Sequence, residues 1–111
     1  MNNNGLLKQQ IENKGIAIGT YITFNDCITT ELLGMVGYDF LWVDMEHTPI
    51  DKSQIVYHCI AAEATNKPIF VRVPCNDPAI VKPILDIGID AMIIPDVRKK
   101  RLYLACIPWM A

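Results

Sequence analysis

The chain lacks paired cysteines, an excess of charge of one sign, and any long apolar run. Its four cysteines lie far apart with no C-x-x-C pair, which argues against a zinc site or disulfide framework and for reduced thiols: they are Cys27, Cys59, Cys75 and Cys106. A net charge of −2 argues against nucleic acid or an anionic membrane surface as the main partner. No apolar run approaches the roughly 18 residues of a membrane span, and the N-terminus does not resemble a signal peptide. We therefore expect a cytoplasmic protein that binds neither nucleic acid nor membranes.

What the sequence does contain is a regular alternation of apolar runs and helical segments. Each intervening segment offers a helix start, at Asn25 or Asp26, at Asp51 or Ser53, and at Asp77. The apolar runs begin roughly 25 residues apart, which suits one strand, one helix and two short loops: they cover 16–23, 40–46, 68–74 and 91–97. This alternation predicts a parallel sheet whose strands are joined by helices.

Two architectures fit this alternation, a doubly wound open sheet and a β/α barrel. No G-x-G-x-x-G or Walker-type loop follows a predicted strand, so a nucleotide-binding doubly wound sheet or a small flavodoxin-like domain lacks its usual signature. Polar groups gather instead at the carboxyl ends of strands, which favours the barrel. A complete barrel has eight units in about 250 residues. We therefore predict a lead-in (1–14), the N-terminal half of a TIM barrel (15–97) and a tail without this pattern (98–111).

The second predicted strand ends in three groups that can move protons or bind a metal: Asp44, Glu46 and His47. Asp44 and Glu46 share one face of the strand. We expect Asp44 to lie at the barrel mouth and to orient the imidazole of His47, because such a pair makes a general base. The structural alternative is that Glu46 and His47 are only a polar strand end before Thr48.

Arg72 lies within an apolar strand, where a cation is costly without an anionic partner. Its guanidinium can reach the same mouth, where it could hold a substrate carboxylate bidentately or stabilise an enolate. The structural alternative is an ion pair with Asp44 or Asp86, and the two interpretations are compatible. Schiff-base chemistry needs a lysine at the mouth, and only Lys99 is arguable there. Carbanion chemistry would then require a metal.

Four motifs follow one another along the chain: G-Y-D-F at 37–40, D-M-E-H-T-P-I-D at 44–51, V-R-V-P-C-N-D-P at 71–78, and L-D-I-G at 85–88 leading to Ile94-Pro95. Together they resemble the HpcH/HpaI aldolase family, which includes 4-hydroxy-2-oxoheptanedioate and 2-keto-3-deoxy-sugar-acid aldolases. The resemblance covers about 15–97 and implies a β/α barrel. It also implies reversible cleavage of 2-keto-4-hydroxy acids to pyruvate and an aldehyde.

The resemblance further implies roles for individual residues. His47 and Asp44 would act in proton transfer, Arg72 would contact the pyruvate oxygens, and Asp86 would help to shape the site, often across a subunit boundary. A divalent metal (Mg, Mn or Co) would hold the pyruvate enolate, and the full-length enzyme would be a trimer or hexamer.

The family's metal ligands, a glutamate and an aspartate, come from later strands. We therefore expect no metal ligand in this chain and no metal bound by it alone. The segment 98–111 does not match the family's continuation, which we interpret as a frameshift or gene truncation after Val97. The prediction is a class II pyruvate aldolase represented by an incomplete and inactive copy. The alternative is a non-catalytic fragment or an α/β module that associates with itself through exposed sheet edges.

Overall fold

The computed structural model describes residues 4–98, and the predictions made for 99–111 lie outside them. Strands and helices alternate along the described part. They are α1 (Asn4–Lys14), β1 (Gly19–Ile22), α2 (Cys27–Met35), β2 (Phe40–Asp44), α3 (Lys52–Ala64), β3 (Ile69–Arg72), α4 (Pro78–Asp86) and β4 (Ala91–Ile93). Each strand lies within a predicted apolar run and is shorter than that run. No helix within 4–98 combines the length and the apolar character of a membrane span.

The four strands form one parallel sheet in the order β1-β2-β3-β4. Each crossover therefore steps to the next strand in the same direction, and right-handed crossovers then place all the connecting helices on the same face. A doubly wound sheet needs a reversal of strand order, and the described residues contain none. The arrangement is that of four consecutive units of a TIM barrel, which confirms the fold class predicted from the sequence.

Aspartates fix the starts of the three helices that connect strands. The carboxylates of Asp26, Asp51 and Asp77 each accept a hydrogen bond from a main-chain N–H in the first turn of α2, α3 and α4. At α3 the side chain of Gln54 also accepts from the Asp51 N–H, which completes a capping box. Pro78 occupies the first turn of α4, where a missing N–H costs little. Where the sequence offered two capping residues for one helix, the aspartate is the cap: Asp26 at α2 and Asp51 at α3.

The hydrophobic core lies between the helices and one face of the sheet. Alternate residues along the strands supply its sheet side, because successive side chains of a strand point to opposite faces: they include Ile22, Leu41, Val43, Ile69, Val71 and Met92. The helix side of the core comes mainly from α3 and α4, with Ile55, Ala62, Val81 and Ile84. Because these alternate residues face the core, the residues between them lie on the opposite face of the sheet.

The opposite face of the sheet carries aromatic side chains. Phe40 and Phe70 stack with ring centroids 4.6 Å apart, and the rings of Tyr21 and Trp42 meet edge to face at 5.1 Å. A Cβ at position 19 would overlap the Phe40 ring, so this packing requires Gly19. Within the described residues, Tyr21 remains 44% exposed on this face.

The predicted lead-in contains a helix, α1, that was not predicted from the sequence. It borders Asp39 and residues 66–68, which precede β2 and β3, and so lies at the amino-terminal edge of the sheet. Gly15 ends the helix with φ +74°, and its N–H donates to the carbonyl of Ile11 at 2.7 Å. The first turn of α1 has no acidic residue, so this common sequence signal of a helix start is missing.

Candidate active site

The carboxyl ends of β2 and β3 bring Asp44 and Arg72 side by side. The two residues are partners in the strand register. Arg72 Nε donates to Asp44 Oδ1 at 2.9 Å, and Arg72 Nη2 donates to Asp44 Oδ2 at 3.0 Å. The Asp44 side chain is completely buried, whereas that of Arg72 is 20% exposed. This is the bidentate geometry of a strong carboxylate–guanidinium pair, and the ion pair considered for Arg72 is therefore formed with Asp44.

Tyr21, on the neighbouring strand β1, forms hydrogen bonds with both members of this pair. Its hydroxyl donates to Asp44 Oδ2 at 2.5 Å and accepts from Arg72 Nη2 at 2.6 Å. The Arg72 Cζ atom also lies 5.6 Å from the centroid of the Tyr21 ring and 5.4 Å from that of the Trp42 ring. Aromatic faces at this distance attract a cation. The guanidinium is thus held by a carboxylate, a hydroxyl and two rings.

The hydrogen bonds to Asp44 fix its charge. Burial by itself would raise the pKa of Asp44, but bonds from Arg72, Tyr21 and the main-chain N–H groups of Glu46 and His47 outweigh burial and hold that pKa far below its usual value. The bond to Asp44 raises the pKa of Arg72 and, through the shared proton, also that of Tyr21. Asp44 is therefore a permanent anion and Arg72 a permanent cation near neutral pH.

Glu46, and not Asp44, contacts the imidazole of His47. Glu46 Oε1 lies 3.1 Å from His47 Nε2, and Glu46 Oε2 lies 3.3 Å from Arg72 Nε. Asp44 reaches His47 only through the main-chain N–H, at 3.2 Å. The predicted orientation of the imidazole by Asp44 is thus not seen, because both Asp44 oxygens already accept from Arg72 and from neighbouring groups. The His47 side chain is 70% exposed.

An open depression lies beside this cluster at the carboxyl ends of β2, β3 and β4. It has a volume of about 610 Å³, and its lining comprises Glu46, residues 74–76, Pro95 and Asp96. Glu46 therefore connects the depression to Arg72 and His47. Arg72 and His47 themselves are not lining residues of this depression.

Asp86 is not part of this cluster. It is exposed at the end of α4 and lines a shallow groove between α3 and α4. That groove belongs to the helical layer, on the other side of the sheet from the open face. The ion pairs of Arg72 are with Asp44 and Glu46, so the alternative pairing of Arg72 with Asp86 is not formed.

Within residues 4–98, no group of three or more His, Cys, Asp or Glu side chains is placed to hold a metal ion. Glu46, the carboxylate at the mouth, is already engaged by Arg72 and His47. The described residues therefore do not form a divalent-metal site by themselves.

A parallel sheet with helices on one face and charged groups at the carboxyl ends of its strands is the design of β/α-barrel enzymes. The sequence model of the HpcH/HpaI aldolase/citrate lyase family matches residues 17–105. The chain belongs to this family. The match also continues beyond Val97, the residue at which the predicted half-barrel ends.

The relatives are longer than this chain. A 5-keto-4-deoxy-D-glucarate aldolase of Escherichia coli (strain K12 / DH10B) is 38% identical over 93 residues, which make up 84% of this chain and 36% of that protein. A solved HpcH/HpaI aldolase/citrate lyase family protein from Burkholderia cenocepacia J2315 has a TM-score of 0.81 and 28% identity, over 93% of this chain and 41% of that one. The citrate synthase SbnG has a TM-score of 0.79 and 26% identity, over 89% and 41%. The chain thus spans about a third of the length of the curated relatives it matches.

Proposed function

We propose that this chain supplies the arginine-centred part of the active site of a pyruvate aldolase, which reversibly cleaves 2-keto-4-hydroxy acids to pyruvate and an aldehyde. The observation that carries the proposal is the Asp44–Arg72–Tyr21 cluster on the open face of the sheet, in a chain of the HpcH/HpaI family. The first substrate to test is 5-keto-4-deoxy-D-glucarate, which the E. coli relative is named for. Numbered from its keto end, it is a 2-keto-4-hydroxy acid.

In the cleavage direction, a base removes the proton of the C4 hydroxyl and the C3–C4 bond breaks. The aldehyde leaves, and the electron pair stays on the other fragment as the pyruvate enolate. Protonation at C3 then gives pyruvate. Negative charge develops on the C2 oxygen, and a fixed cation beside that oxygen lowers the barrier because it needs no reorganisation. Arg72 provides this cation, since Asp44 and Tyr21 hold it in place.

We assign proton transfer to His47, with Glu46 as the carboxylate that contacts its imidazole. Asp44 contributes by fixing Arg72 and by accepting from the N–H groups of Glu46 and His47. We do not assign it the transferred proton, because both of its oxygens already accept hydrogen bonds and these lower its pKa. The role implied for Asp86 would require a second subunit, since Asp86 lies in the helical layer.

The divalent metal implied by the family resemblance has no complete ligand set within residues 4–98, and no step above passes through it. The trimeric or hexameric assembly and the cytoplasmic location stay predictions. The inactivity of the chain alone, and its status as an incomplete copy, are also predictions.

A chimera tests the proposed function. Residues 4–98 of this chain would replace the matching segment of the E. coli aldolase, and pyruvate release would be followed with 5-keto-4-deoxy-D-glucarate and Mg²⁺ or Mn²⁺. We expect turnover by the chimera, its loss in the Arg72→Met chimera, and none from the 111-residue chain alone. A folded but inactive chimera, beside an active parent enzyme, would contradict the proposal. Turnover by the isolated chain would contradict its predicted inactivity.

A second candidate function, a non-catalytic module that associates with itself, is favoured by the exposed face of α2. Ile28, Leu32 and Met35 follow one another at helical spacing and are 71%, 57% and 72% exposed. An apolar stripe of this kind is typical of an interface. Light scattering over a concentration series would detect self-association, and Leu32→Glu should abolish it. A monomer at all concentrations would exclude this candidate.

A further inference from the structure

Two of the three guanidinium nitrogens of Arg72 already have acceptors. Nε lies 2.9 Å from Asp44 Oδ1 and 3.3 Å from Glu46 Oε2. Nη2 donates to Asp44 Oδ2 at 3.0 Å and to the Tyr21 hydroxyl at 2.6 Å. Within residues 4–98, Nη1 has no acceptor. Among the described residues, the hydrogen bonds and ion pairs of Arg72 thus use Nε and Nη2, and Nη1 is the nitrogen left for a ligand.

An arginine usually binds a carboxylate through a fork of two parallel N–H groups. At Arg72, the fork formed by Nε and Nη2 is filled by Asp44. The remaining fork, formed by Nη1 and Nη2, would need a hydrogen of Nη2, and Nη2 already has two acceptors, Asp44 Oδ2 and the Tyr21 hydroxyl. The hydrogen of that hydroxyl is committed to Asp44 Oδ2 at 2.5 Å, so the hydroxyl turns an oxygen lone pair towards Nη2. A carboxylate that used this fork would therefore have to compete with the Tyr21 hydroxyl for Nη2.

We propose that Tyr21 is a specificity-determining residue that restricts Arg72 to a contact with a single ligand oxygen through Nη1. The oxygen that suits this contact is the keto or enolate oxygen of a 2-keto acid, where charge develops during cleavage. Of the two uses predicted for Arg72, the geometry therefore favours enolate stabilisation over a bidentate carboxylate clamp. The identity of the ligand rests on the proposed function, whereas the single-nitrogen contact rests on the Arg72 and Tyr21 geometry alone.

The first test uses the unaltered 111-residue chain with ¹⁵N-labelled arginine. Pyruvate is added, and the guanidinium resonances of Arg72 are followed by NMR, with the exposed Arg98 as an internal reference. We expect the Nη1 resonances to shift on pyruvate addition while those of Nε and Nη2 stay in place. Equal shifts at Nη1 and Nη2, or no shift beyond that of Arg98, would overturn the inference.

The second test compares Tyr21→Phe with Tyr57→Phe, which removes a hydroxyl from an exposed tyrosine of α3. Each protein is titrated with acetate, a carboxylate without a keto group, after circular dichroism has confirmed its fold. Tyr21→Phe should bind acetate about three- to tenfold more tightly than the unaltered chain, because one more hydrogen bond becomes available. Tyr57→Phe should bind like the unaltered chain. Unchanged or weaker acetate binding by folded Tyr21→Phe would contradict the role of Tyr21.

Neither measurement requires turnover. An inactive chimera would therefore count against the proposed function alone, whereas these two measurements decide the role of Tyr21.

Discussion

On β2, Leu41 and Val43 point to the helix-covered face of the sheet, whereas Trp42 and Asp44 point to the open face. Leu41, Val43 and Asp44 are all completely buried, but for different reasons. Helical side chains cover the two aliphatic residues, while Tyr21 and Arg72 bond to Asp44. One strand thus supplies apolar packing on one side and a satisfied charge on the other. Burial of Asp44 thus depends on polar partners, so a single substitution there can remove both stability and the proposed contact of Arg72 with a ligand.

The largest effect is expected from Asp44→Ala, on the open face. This change leaves the mostly buried Arg72 without its bidentate partner, and such losses cost about 3–5 kcal/mol in the free energy of unfolding. Urea denaturation would measure the change. Asp96→Asn is the control, because Asp96 pairs with Arg98 in an exposed ion pair and asparagine tolerates its φ of +56°, and it should change stability by less than about 1 kcal/mol. Similar small losses in both variants would show that Asp44 is not a structural anion.

On the covered face, Leu41→Ala should cost about 3 kcal/mol, because it leaves a cavity in the core. The comparison of the two faces becomes sharper if ligand binding is measured as well. Leu41→Ala should keep the response of the Arg72 resonances to pyruvate, whereas Asp44→Ala should lose it. A loss of that response in folded Leu41→Ala would mean that the two faces are not separable.

A smaller effect is expected from Gly19→Ala on the open face. The added methyl group would overlap the Phe40 ring and disturb its stacking on Phe70, at a cost of about 1–3 kcal/mol. Gly5→Ala in α1 is the control, since a Cβ there meets no atom within 4 Å. It should be neutral or slightly stabilising, because alanine favours helix. Thermal unfolding of both variants would check this, and a neutral Gly19→Ala would argue against the stacking constraint.

The smallest effect concerns His58, a buried histidine of α3 whose Nδ1 lies 2.7 Å from the Thr30 hydroxyl of α2. Burial lowers the pKa of His58, so the unfolded chain binds its proton at higher pH than the folded chain does. The stability contribution of neutral His58 is therefore complete above pH of about 6.5 and lost as the pH falls below it. Urea denaturation between pH 7 and 5 should show this slope.

His58→Gln should flatten that slope, because glutamine does not titrate and retains a polar group for Thr30. The neighbouring Tyr57→Phe should keep it. An equal slope in His58→Gln would assign the dependence to other groups.

Much of the fold follows from local sequence. Asp26, Asp51 and Asp77 are good caps wherever they occur in front of a helix, so helix starts can be read without knowing the tertiary structure. The high cost of an unpaired buried cation made Arg72 recognisable, with Asp44 among its candidate partners. By contrast, α1 was not predicted, because its first turn has no acidic residue; Lys14 in its last turn and Gly15 directly after it are the signals that could have found it.

The composition of the site depends on register, which local sequence does not show. Tyr21 joins the cluster only because β1 pairs with β2 so that residue 21 lies opposite Trp42, within reach of Asp44. The alternation used to place Glu46 holds for one more pair of residues after β2 ends at Asp44, because Met45 lies in the core and Glu46 contacts Arg72 on the open face. Beyond that point the chain turns, and Asp44 accepts from two N–H groups of the turn. The imidazole of His47 therefore contacts Glu46 and not Asp44.

The sequential strand order also bears on how the chain folds. Asp44 lies 28 residues from Arg72 and 23 from Tyr21 along the chain, so the cluster links consecutive strand–helix units. The entropic cost of closing a loop grows only slowly with its length, but contacts between near neighbours still form fastest. The cluster needs β1, β2 and β3 and makes no use of β4. We therefore expect that the cluster can form from the first three strands without waiting for β4 to pair.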